Sequence, residues 1–318
     1  MSDQDGFLER ALALVRAAPG RAYPKPTVGA VVVAGGEVVG EGVTERGGRH
    51  GEVVALDAAG EAARGGALYV TMEPCAHWGT TPPCTERALE AGVALVVAGS
   101  RDPNPEAAGG LERLREAGVE VRLVDSFEAR AQNEAWRTWV SKGRPFVTYK
   151  VAMTLDGSVS VPGEGWISGE ESRRFVHEVR AASDAVAVGM GTVRADAPRL
   201  DVRDVPAPRG QPRRLAFGKG PLPEASELEL RPGPLADELS ELASEGVQSL
   251  LLEGGPTLAG AFLEEDLIDK LLVFVAPKLG GEGGGALAAR IASPRPLSHV
   301  TTRVVGDDVL FEAYVHDP

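Results

Sequence analysis

The chain has 318 residues, of which 43% are hydrophobic and 25% charged, and this length and composition predict about two folded domains. The formal net charge of −13 disfavours nucleic acid and anionic membranes as partners, because both are negatively charged. Two cysteines are too few for a disulfide framework, and no apolar run approaches the roughly 18 residues of a membrane span. Residues 1–7 are polar and acidic, unlike a signal peptide, so we expect a soluble cytoplasmic protein.

The first half of the sequence predicts helices that alternate with strands. A helix at 9–18 precedes a hairpin of two strands, 28–34 and 37–43, around Gly35-Gly36. The other predicted elements of this half are helices at 51–63, 84–91, 111–117 and 127–140 and strands at 67–72, 93–99 and 119–124. This alternation is typical of a layered α/β domain with largely parallel strands.

The pattern breaks at residues 141–145, and we place a domain boundary between 144 and 145. In the second half, strand 146–153 is predicted to return as strand 158–161, and Ser168 with Glu171 fits a capping box. The remaining predicted elements are helices at 170–181, 235–244 and 258–264 and strands at 185–189, 247–252, 271–276, 301–305 and 309–315. Residues 199–233 are rich in Pro, Arg and Gly and are the least predictable.

Four residues of the first half, His50, Glu52, Cys75 and Cys84, have the composition of a hydrolytic zinc site. One imidazole and two thiolates fill three positions of a tetrahedron and leave the fourth for water, whose pKa zinc lowers toward ~7. Glu52 is placed to take a proton from that water and return it to a leaving amine. The cysteines could instead be small buried hydrophobic residues, but H-x-E followed by P-C and a second Cys is the zinc deaminase signature.

The second half carries a weaker signal at residues 250–257, LLLEGGPT, which predict a strand, a glycine turn and a helix. Backbone N–H groups at such a helix start can bind a phosphate, although the segment could equally be a simple turn. It is not G-x-G-x-x-G, so a Rossmann domain is unsupported.

Several longer motifs carry a resemblance to a known family. In the first half they are His50-Gly51-Glu52, residues 71–84 (TMEPCAHWGTTPPC) and Asp102–Pro105, and in the second half residues 144–157 (RPFVTYKVAMTLDG), 166–168, 191–200, 253–257 and 276–279. Together they resemble the bifunctional deaminase–reductases of riboflavin biosynthesis over nearly the whole chain. The gap of eight residues between the cysteines separates this branch from cytidine and tRNA adenosine deaminases, which usually have Pro-Cys-x-x-Cys.

For residues 1–144 the resemblance implies a cytidine-deaminase-like, three-layer α/β/α domain. His50, Cys75 and Cys84 would be the zinc ligands, Glu52 the catalytic proton shuttle, and His77 part of the substrate pocket. The implied reaction is hydrolytic deamination of 2,5-diamino-6-(phosphoribosylamino)pyrimidin-4-one.

For residues 145–318 it implies a dihydrofolate-reductase-like α/β domain. With NADPH, this domain would reduce the ribosyl side chain of 5-amino-6-(5-phosphoribosylamino)uracil to ribityl. The implied NADPH contacts are Ala152, Trp166, Thr192, Asp196, Gly255, Pro256, Thr257, Leu258, Ala259, Gly260 and Ala261. The implied substrate contacts are Arg180, Leu200, Arg203 and Glu253. Asp196 could also assist proton transfer, a role that water could fill instead.

The sequence departs from the family pattern at a few positions. Lys25 stands where an asparagine is usual, and it either meets the substrate phosphate or faces solvent. Thr80, Glu164 and the segment Gly218-Lys219 also differ. The expected partners are the small phosphoribosylamino-pyrimidine substrates and further copies of the chain in a homo-oligomer. The alternative is a nucleoside or tRNA deaminase fused to an unrelated nucleotide-binding module.

Overall fold

The computed structural model describes residues 3–79, 82–163, 165–281, 285 and 294–318, so Thr80 and Glu164 lie outside the described residues. The chain divides into two compact units, the first up to Ser141 and the second from Lys142 to Asp317. Each unit has its own sheet and its own hydrophobic core. Within the described ranges, no helix combines the length and the apolar character needed to cross a membrane.

The first unit is built on a mixed sheet. Its strands are β1 (Gly29–Ala34), β2 (Glu37–Val43), β3 (Ala67–Val70), β4 (Leu95–Ala98) and β5 (Glu120–Leu123). Its helices are α1 (Asp3–Arg16), α2 (Gly51–Ala59), α3 (Cys84–Ala91), α4 (Gly110–Glu116), α5 (Phe127–Ala131) and α6 (Glu134–Lys142). The strand order is β2-β1-β3-β4-β5, with β1 antiparallel to both neighbours and β3, β4 and β5 parallel.

Helices cover both faces of this sheet, which explains why β1 is apolar throughout. Successive strand residues point to opposite faces. Ala30 and Val32 therefore pack with residues of α2, α3 and α4, whereas Val31 and Val33 pack with Leu8 of α1. The first unit thus has the three α/β/α layers that the sequence predicted.

Two glycines allow α2 to lie directly on the hairpin of β1 and β2. A Cβ at Gly42 would come within 2.3 Å of the Gly51 carbonyl oxygen, and a Cβ at Gly51 within 2.3 Å of the Val28 oxygen. Real Cβ atoms do not approach backbone that closely, so a larger residue would push the helix outward. The close packing fixes the start of α2, where His50 and Glu52 lie.

The second unit has a larger sheet in which most strands are parallel. Its strands are β6 (Phe146–Thr154), β7 (Ala185–Gly189), β8 (Arg213–Phe217), β9 (Glu229–Arg231), β10 (Ser249–Leu252), β11 (Lys270–Ala276), β12 (Ser298–Val305) and β13 (Asp308–Tyr314). Its helices are α7 (Glu170–Ala182), α8 (Met190–Asp196), α9 (Leu235–Ser244) and α10 (Pro256–Glu264). The described strands follow the order β12-β13-β11-β6-β10-β7-β8-β9, and β13 is antiparallel to both of its neighbours.

The structure corrects several local predictions. Residues 158–161 do not form a strand, and β6 pairs instead with the parallel strands β10, over residues 146–149, and β11, over residues 148–154. The capping box at Ser168 is also wrong: α7 starts after Gly169, whose N–H donates to Asp308 Oδ2 at 2.8 Å. The predicted helix 127–140 is two helices, α5 and α6. The short helix α8 was not predicted.

Candidate functional site

Three side chains of the first unit meet at one point. His50 is the residue before α2, Cys84 is the first residue of α3, and Cys75 lies on the loop after β3. Their ligand atoms all lie within 4.8 Å of one another. His50 Nδ1 is 3.2 Å from Cys84 Sγ and 3.6 Å from Cys75 Sγ. One imidazole nitrogen and two sulfur atoms at these distances fit the donor set of a zinc ion.

The two cysteines differ in acidity when no metal is bound. Hydrogen bonds from Cys84 and His50 lower the pKa of Cys75 to about 4. The hydrogen bond to Cys75, together with burial, raises the pKa of Cys84. Without a metal the pair therefore favours a single thiolate, whereas a divalent cation stabilises two.

Glu52 lies beside this cluster. Its side chain is buried, and its Oε2 atom has no hydrogen-bond partner among the described residues. Burial raises the pKa of Glu52 to about 7. A carboxyl group with this pKa can accept and release a proton near neutral pH, as a general acid–base requires.

His50, Glu52 and Cys75 line a cleft of about 220 Å³. The predicted residue His77 is on its wall, and its contact with substrate stays a prediction. Sequence reasoning missed further lining residues as members of a site, among them Met72, Glu73, Asp102, Asn104 and Trp136. All of these except Trp136 lie within the family motifs at residues 71–84 and 102–105, which gave the signal that could have identified them.

Glu73 braces the loop that closes one side of the cleft. Its Oε1 accepts hydrogen bonds from the N–H groups of Leu111 at 3.0 Å and Gly109 at 3.2 Å, and its Oε2 accepts one from Asp102 N–H at 3.2 Å. Glu73 is buried and lies two residues before the proposed ligand Cys75. Its hydrogen bonds therefore hold the loop that carries Asp102 against the segment that carries Cys75.

The second unit joins two of its predicted substrate residues in a buried ion pair. Arg180 on α7 donates two hydrogen bonds to Glu253, which follows β10, at 2.6 and 3.0 Å. Burial opposes ionisation of Glu253, but the contacts with Arg180 outweigh it, so the pKa of Glu253 is lowered. Lys150 Nζ lies 4.0 Å from Glu253, and burial lowers the pKa of this lysine.

The other two predicted substrate residues lie on a neighbouring segment. Arg203 donates to Asp201 Oδ1 at 3.0 Å, and Arg180 donates to the Asp201 carbonyl oxygen at 3.1 Å. Leu200 is buried at the start of this segment. The prediction missed Lys150, although a lysine within the apolar strand 146–154 is a signal that could have identified it.

The predicted NADPH residues lie at the edge where strands β7 and β10 end. These strands are parallel neighbours, so the helices that follow them, α8 and α10, begin side by side. A Cβ at Gly255 would lie 3.7 Å from Thr192 Oγ1, so these two predicted NADPH contacts are neighbours in space. The other α10 residues on that list are Pro256, Thr257, Leu258, Ala259, Gly260 and Ala261, of which Ala259 and Gly260 are buried.

The remaining predicted NADPH residues differ in exposure. Ala152 is half-buried on β6, and Asp196 is exposed at the end of α8. Trp166 is 68% exposed, with the Arg173 guanidinium 5.3 Å from its ring centre. The exposed ring of Trp166 is available to a ligand, and the cofactor contacts stay predictions.

Comparison with known proteins identifies both halves. A family model described as the RibD C-terminal domain matches residues 145–311, and one described as the cytidine and deoxycytidylate deaminase zinc-binding region matches residues 1–100. The riboflavin biosynthesis protein RibD of Aquifex aeolicus is 40% identical over 314 residues, which cover 87% of this chain and 88% of that protein. The chain belongs to the RibD family. The RibD protein of Mycobacterium tuberculosis is 44% identical over 279 residues, which cover 82% of this chain and 81% of the relative.

Solved RibD structures agree over nearly the full length. That of Acinetobacter baumannii RibD has a TM-score of 0.85 at 32% identity and covers 98% of both chains. The Thermotoga maritima diaminohydroxyphosphoribosylaminopyrimidine deaminase/5-amino-6-(5-phosphoribosylamino)uracil reductase has a TM-score of 0.82 at 33% identity, again over 98% of both chains.

Membership of the RibD family confirms the resemblance found in the sequence. The protein is a bifunctional deaminase and reductase of riboflavin biosynthesis, with a cytidine-deaminase-like and a dihydrofolate-reductase-like α/β domain. Zinc and NADPH are its cofactors. The alternative, an unrelated module in the second half, is wrong because the RibD C-terminal domain occupies residues 145–311.

Proposed function

We propose that residues 1–144 deaminate diaminohydroxyphosphoribosylaminopyrimidine and that residues 145–318 reduce 5-amino-6-(5-phosphoribosylamino)uracil. These are the two activities of the Thermotoga maritima relative. The observation that carries the first assignment is the cluster of His50, Cys75 and Cys84 ligand atoms within 4.8 Å, next to the buried Glu52 carboxylate. The product of the first reaction is the substrate of the second.

In the deamination step, His50, Cys75 and Cys84 hold the metal and Glu52 moves the protons. Zinc supplies a Lewis acid that makes water nucleophilic at neutral pH. Glu52 Oε2 accepts a proton as the water oxygen bonds to the amine-bearing ring carbon, and it then protonates the departing nitrogen. The carbon–nitrogen bond breaks, ammonia leaves, and the ring carbon becomes a carbonyl.

In the reduction step, the chain binds a phosphorylated substrate and supplies one proton. NADPH provides the hydride. Arg180 and Arg203 offer guanidinium groups, which match phosphate geometry, and Glu253 fixes the orientation of Arg180. The hydride would go to the ribosyl carbon next to nitrogen, and the ring oxygen that leaves this carbon would need a proton to become a hydroxyl. We propose Lys150, whose Nζ lies 4.0 Å from Glu253, as the donor of that proton.

A coupled assay tests both assignments. The diaminopyrimidine phosphate is supplied with NADPH, and ammonia release and NADPH oxidation are followed with and without a zinc chelator. We expect one NADPH oxidised for each ammonia released, with ammonia appearing first. The chelator should stop ammonia release but leave reduction of directly supplied 5-amino-6-(5-phosphoribosylamino)uracil intact. Ammonia release without NADPH oxidation would contradict the second assignment.

We further propose that the protein works as a homo-oligomer in the cytoplasm. Strand β12 lies at the edge of its sheet with Val304 74% exposed, and exposed apolar edge strands are often covered by another chain. The two metal-binding thiols require a reducing compartment. Sedimentation of the purified protein tests the assembly, since a mass of 33.2 kDa would mean a monomer.

A further inference from the structure

The cleft of the first unit has an unbalanced charge. Three carboxylates line it, those of Glu52, Glu73 and Asp102. Among the described lining residues, Lys25 is the only lysine or arginine. The proposed substrate brings a phosphate group into this cleft, where the carboxylates repel it and a cationic side chain attracts it. Lys25 is the lining residue that can supply this attraction.

Lys25 is available for this role. It forms no ion pair with any described residue, and its side chain is exposed at the cleft. Three other cationic side chains of the first unit are already paired: Arg49 and Arg87 bind Asp57, and Arg101 binds Glu112. Because the Lys25 ammonium group forms no ion pair with a described residue, it can bind a negatively charged ligand.

The backbone around Lys25 is held firmly in place. The Lys25 N–H donates to the Ala22 carbonyl oxygen at 3.0 Å. The Asn133 side chain grips Thr27 twice, accepting from its N–H at 2.9 Å and donating to its oxygen at 3.0 Å. Asn133 lies between α5 and α6, so the residue that holds Thr27 is one of those that separate the two helices. Lys25 thus lies on a turn whose backbone is already held by hydrogen bonds. Ligand binding therefore does not have to order this backbone.

We propose that Lys25 binds the phosphate group of the deamination substrate and thereby selects the phosphorylated over the unphosphorylated pyrimidine riboside. This inference rests on the proposed deaminase function. Lys25 is exposed whereas Glu52 is buried, so the reacting ring enters first and the phosphate stays at the open end of the cleft. The ammonium acts as a point charge on a flexible stem and requires no fixed phosphate orientation.

The test compares two substrates on matched variants of the full chain. Wild type, Lys25→Met and Lys25→Arg are assayed for ammonia release from the phosphorylated substrate and from its phosphatase-treated riboside. We expect Lys25→Met to raise KM for the phosphorylated substrate about 10- to 100-fold, the range of a charge-assisted hydrogen bond, with little change in kcat. The KM for the riboside should stay unchanged. Lys25→Arg, which keeps the charge, should restore most of the affinity.

A second readout measures binding without turnover. In a Glu52→Gln background, titration calorimetry with the phosphorylated substrate should show the same loss of affinity on Lys25→Met, and added salt should weaken binding only where Lys25 is present. The matched control is Arg115→Met, which removes an exposed positive charge that does not line the cleft. Zinc content and thermal unfolding of every variant confirm that the fold is intact.

The outcomes separate this inference from the deaminase assignment. If Lys25→Met changed KM equally for both substrates, Lys25 would contact the pyrimidine ring or stabilise the fold. If neither KM changed, Lys25 would contact only solvent. Either result overturns the phosphate contact and leaves the deaminase in place. Absence of ammonia from both substrates with zinc-loaded wild type would overturn both.

Discussion

The burial of the Glu52 carboxyl group does not visibly stabilise the fold. A carboxyl group without a hydrogen-bond partner for one oxygen costs stability when it is buried. Glu73, also buried, differs because backbone N–H groups satisfy both of its oxygens. The contrast supports a structural role for Glu73 and the proposed proton-transfer role of Glu52, since buried polar groups that stay unsatisfied concentrate at functional sites.

Replacing Glu52 by glutamine should remove deamination and spare everything else. The amide keeps the shape but cannot carry the proton, so we expect ammonia release to fall about 10²-fold or more. Bound zinc, measured by elemental analysis, should stay at the wild-type level because Glu52 does not belong to the ligand cluster. Reduction of directly supplied uracil substrate serves as the internal control. A retained deamination rate would exclude Glu52 as the proton carrier.

The zinc cluster could be predicted from the sequence because its chemistry permits few residue types. Imidazole and thiolate ligands are rare enough that His50, Cys75 and Cys84 stand out in a chain with two cysteines. Lys150, Asp102 and Trp136 are ordinary residues in the sequence, and their importance arises from what the folded chain brings next to them. Such roles depend on contacts between distant segments, which local patterns do not contain.

At the scale of elements, the sequence predicted best where proline and glycine mark both ends. Helix α3 has the predicted bounds 84–91, because Pro83 precedes it and Gly92 ends it in a left-handed conformation. The false strand at 158–161 shows the opposite case. Its turn residues suit a hairpin, but the neighbours of β6 come from β10 and β11, almost a hundred residues or more further along the chain.

The start of α4 is packed so closely against the zinc loop that Gly110 should be irreplaceable. A Cβ there would lie 1.7 Å from the Pro74 carbonyl oxygen, next to the ligand Cys75. We expect Gly110→Ala to push the loop away, to lower the free energy of unfolding by about 1–3 kcal/mol and to speed the loss of zinc to a chelator. Urea unfolding and a colorimetric chelator assay measure the two effects.

Gly6→Ala provides the matched control for Gly110→Ala. Gly6 lies inside α1, and within the part of the chain that the structure describes no atom beyond the neighbouring helix backbone comes within 4 Å of an added methyl group, so alanine should stabilise the helix by up to about 1 kcal/mol. Zinc release should not change in this variant. If Gly110→Ala behaved like Gly6→Ala, the close contact with Pro74 would have no role in holding the metal loop.

At the scale of the whole molecule, each unit contains the complete set of residues proposed for its reaction. The zinc cluster and Glu52 come from residues 50–84, and the Arg180–Glu253 pair and Lys150 come from residues 150–253. Each unit also has separate core clusters. Substitutions in one unit are therefore expected to leave the chemistry of the other intact, which is why each assay above can use the second activity as its control.

Asp269 links the start of the second unit to its far end. Arg144 donates two hydrogen bonds to its carboxylate, at 2.6 and 2.8 Å, and the Val147 N–H donates a third at 2.9 Å. Burial opposes ionisation of Asp269, but Arg144 and His316 outweigh it, so the pKa of Asp269 lies far below its usual range. The ionised carboxylate therefore stabilises the folded unit.

This pKa makes the second unit sensitive to acid in a defined direction. The stabilisation is complete above the unfolded-state pKa of about 3.9 and declines as the pH falls below it, because the unfolded chain then takes up a proton that the folded unit excludes. At pH 7, Asp269→Asn leaves Arg144 buried without its partner and should lower the free energy of unfolding by about 3–5 kcal/mol. The difference from wild type should narrow as the pH falls from 4 toward 2.

Hydrogen exchange of peptides from β6 and β11, read by mass spectrometry, follows the second unit separately from the first. Asp237→Asn is the control, because Asp237 is an exposed acid at the start of α9 and its loss should cost only tenths of a kcal/mol. A gap between wild type and Asp269→Asn that stays constant from pH 7 to pH 2 would show that ionisation of Asp269 does not stabilise the unit. The pH dependence thus separates the charge of Asp269 from its shape, which asparagine preserves.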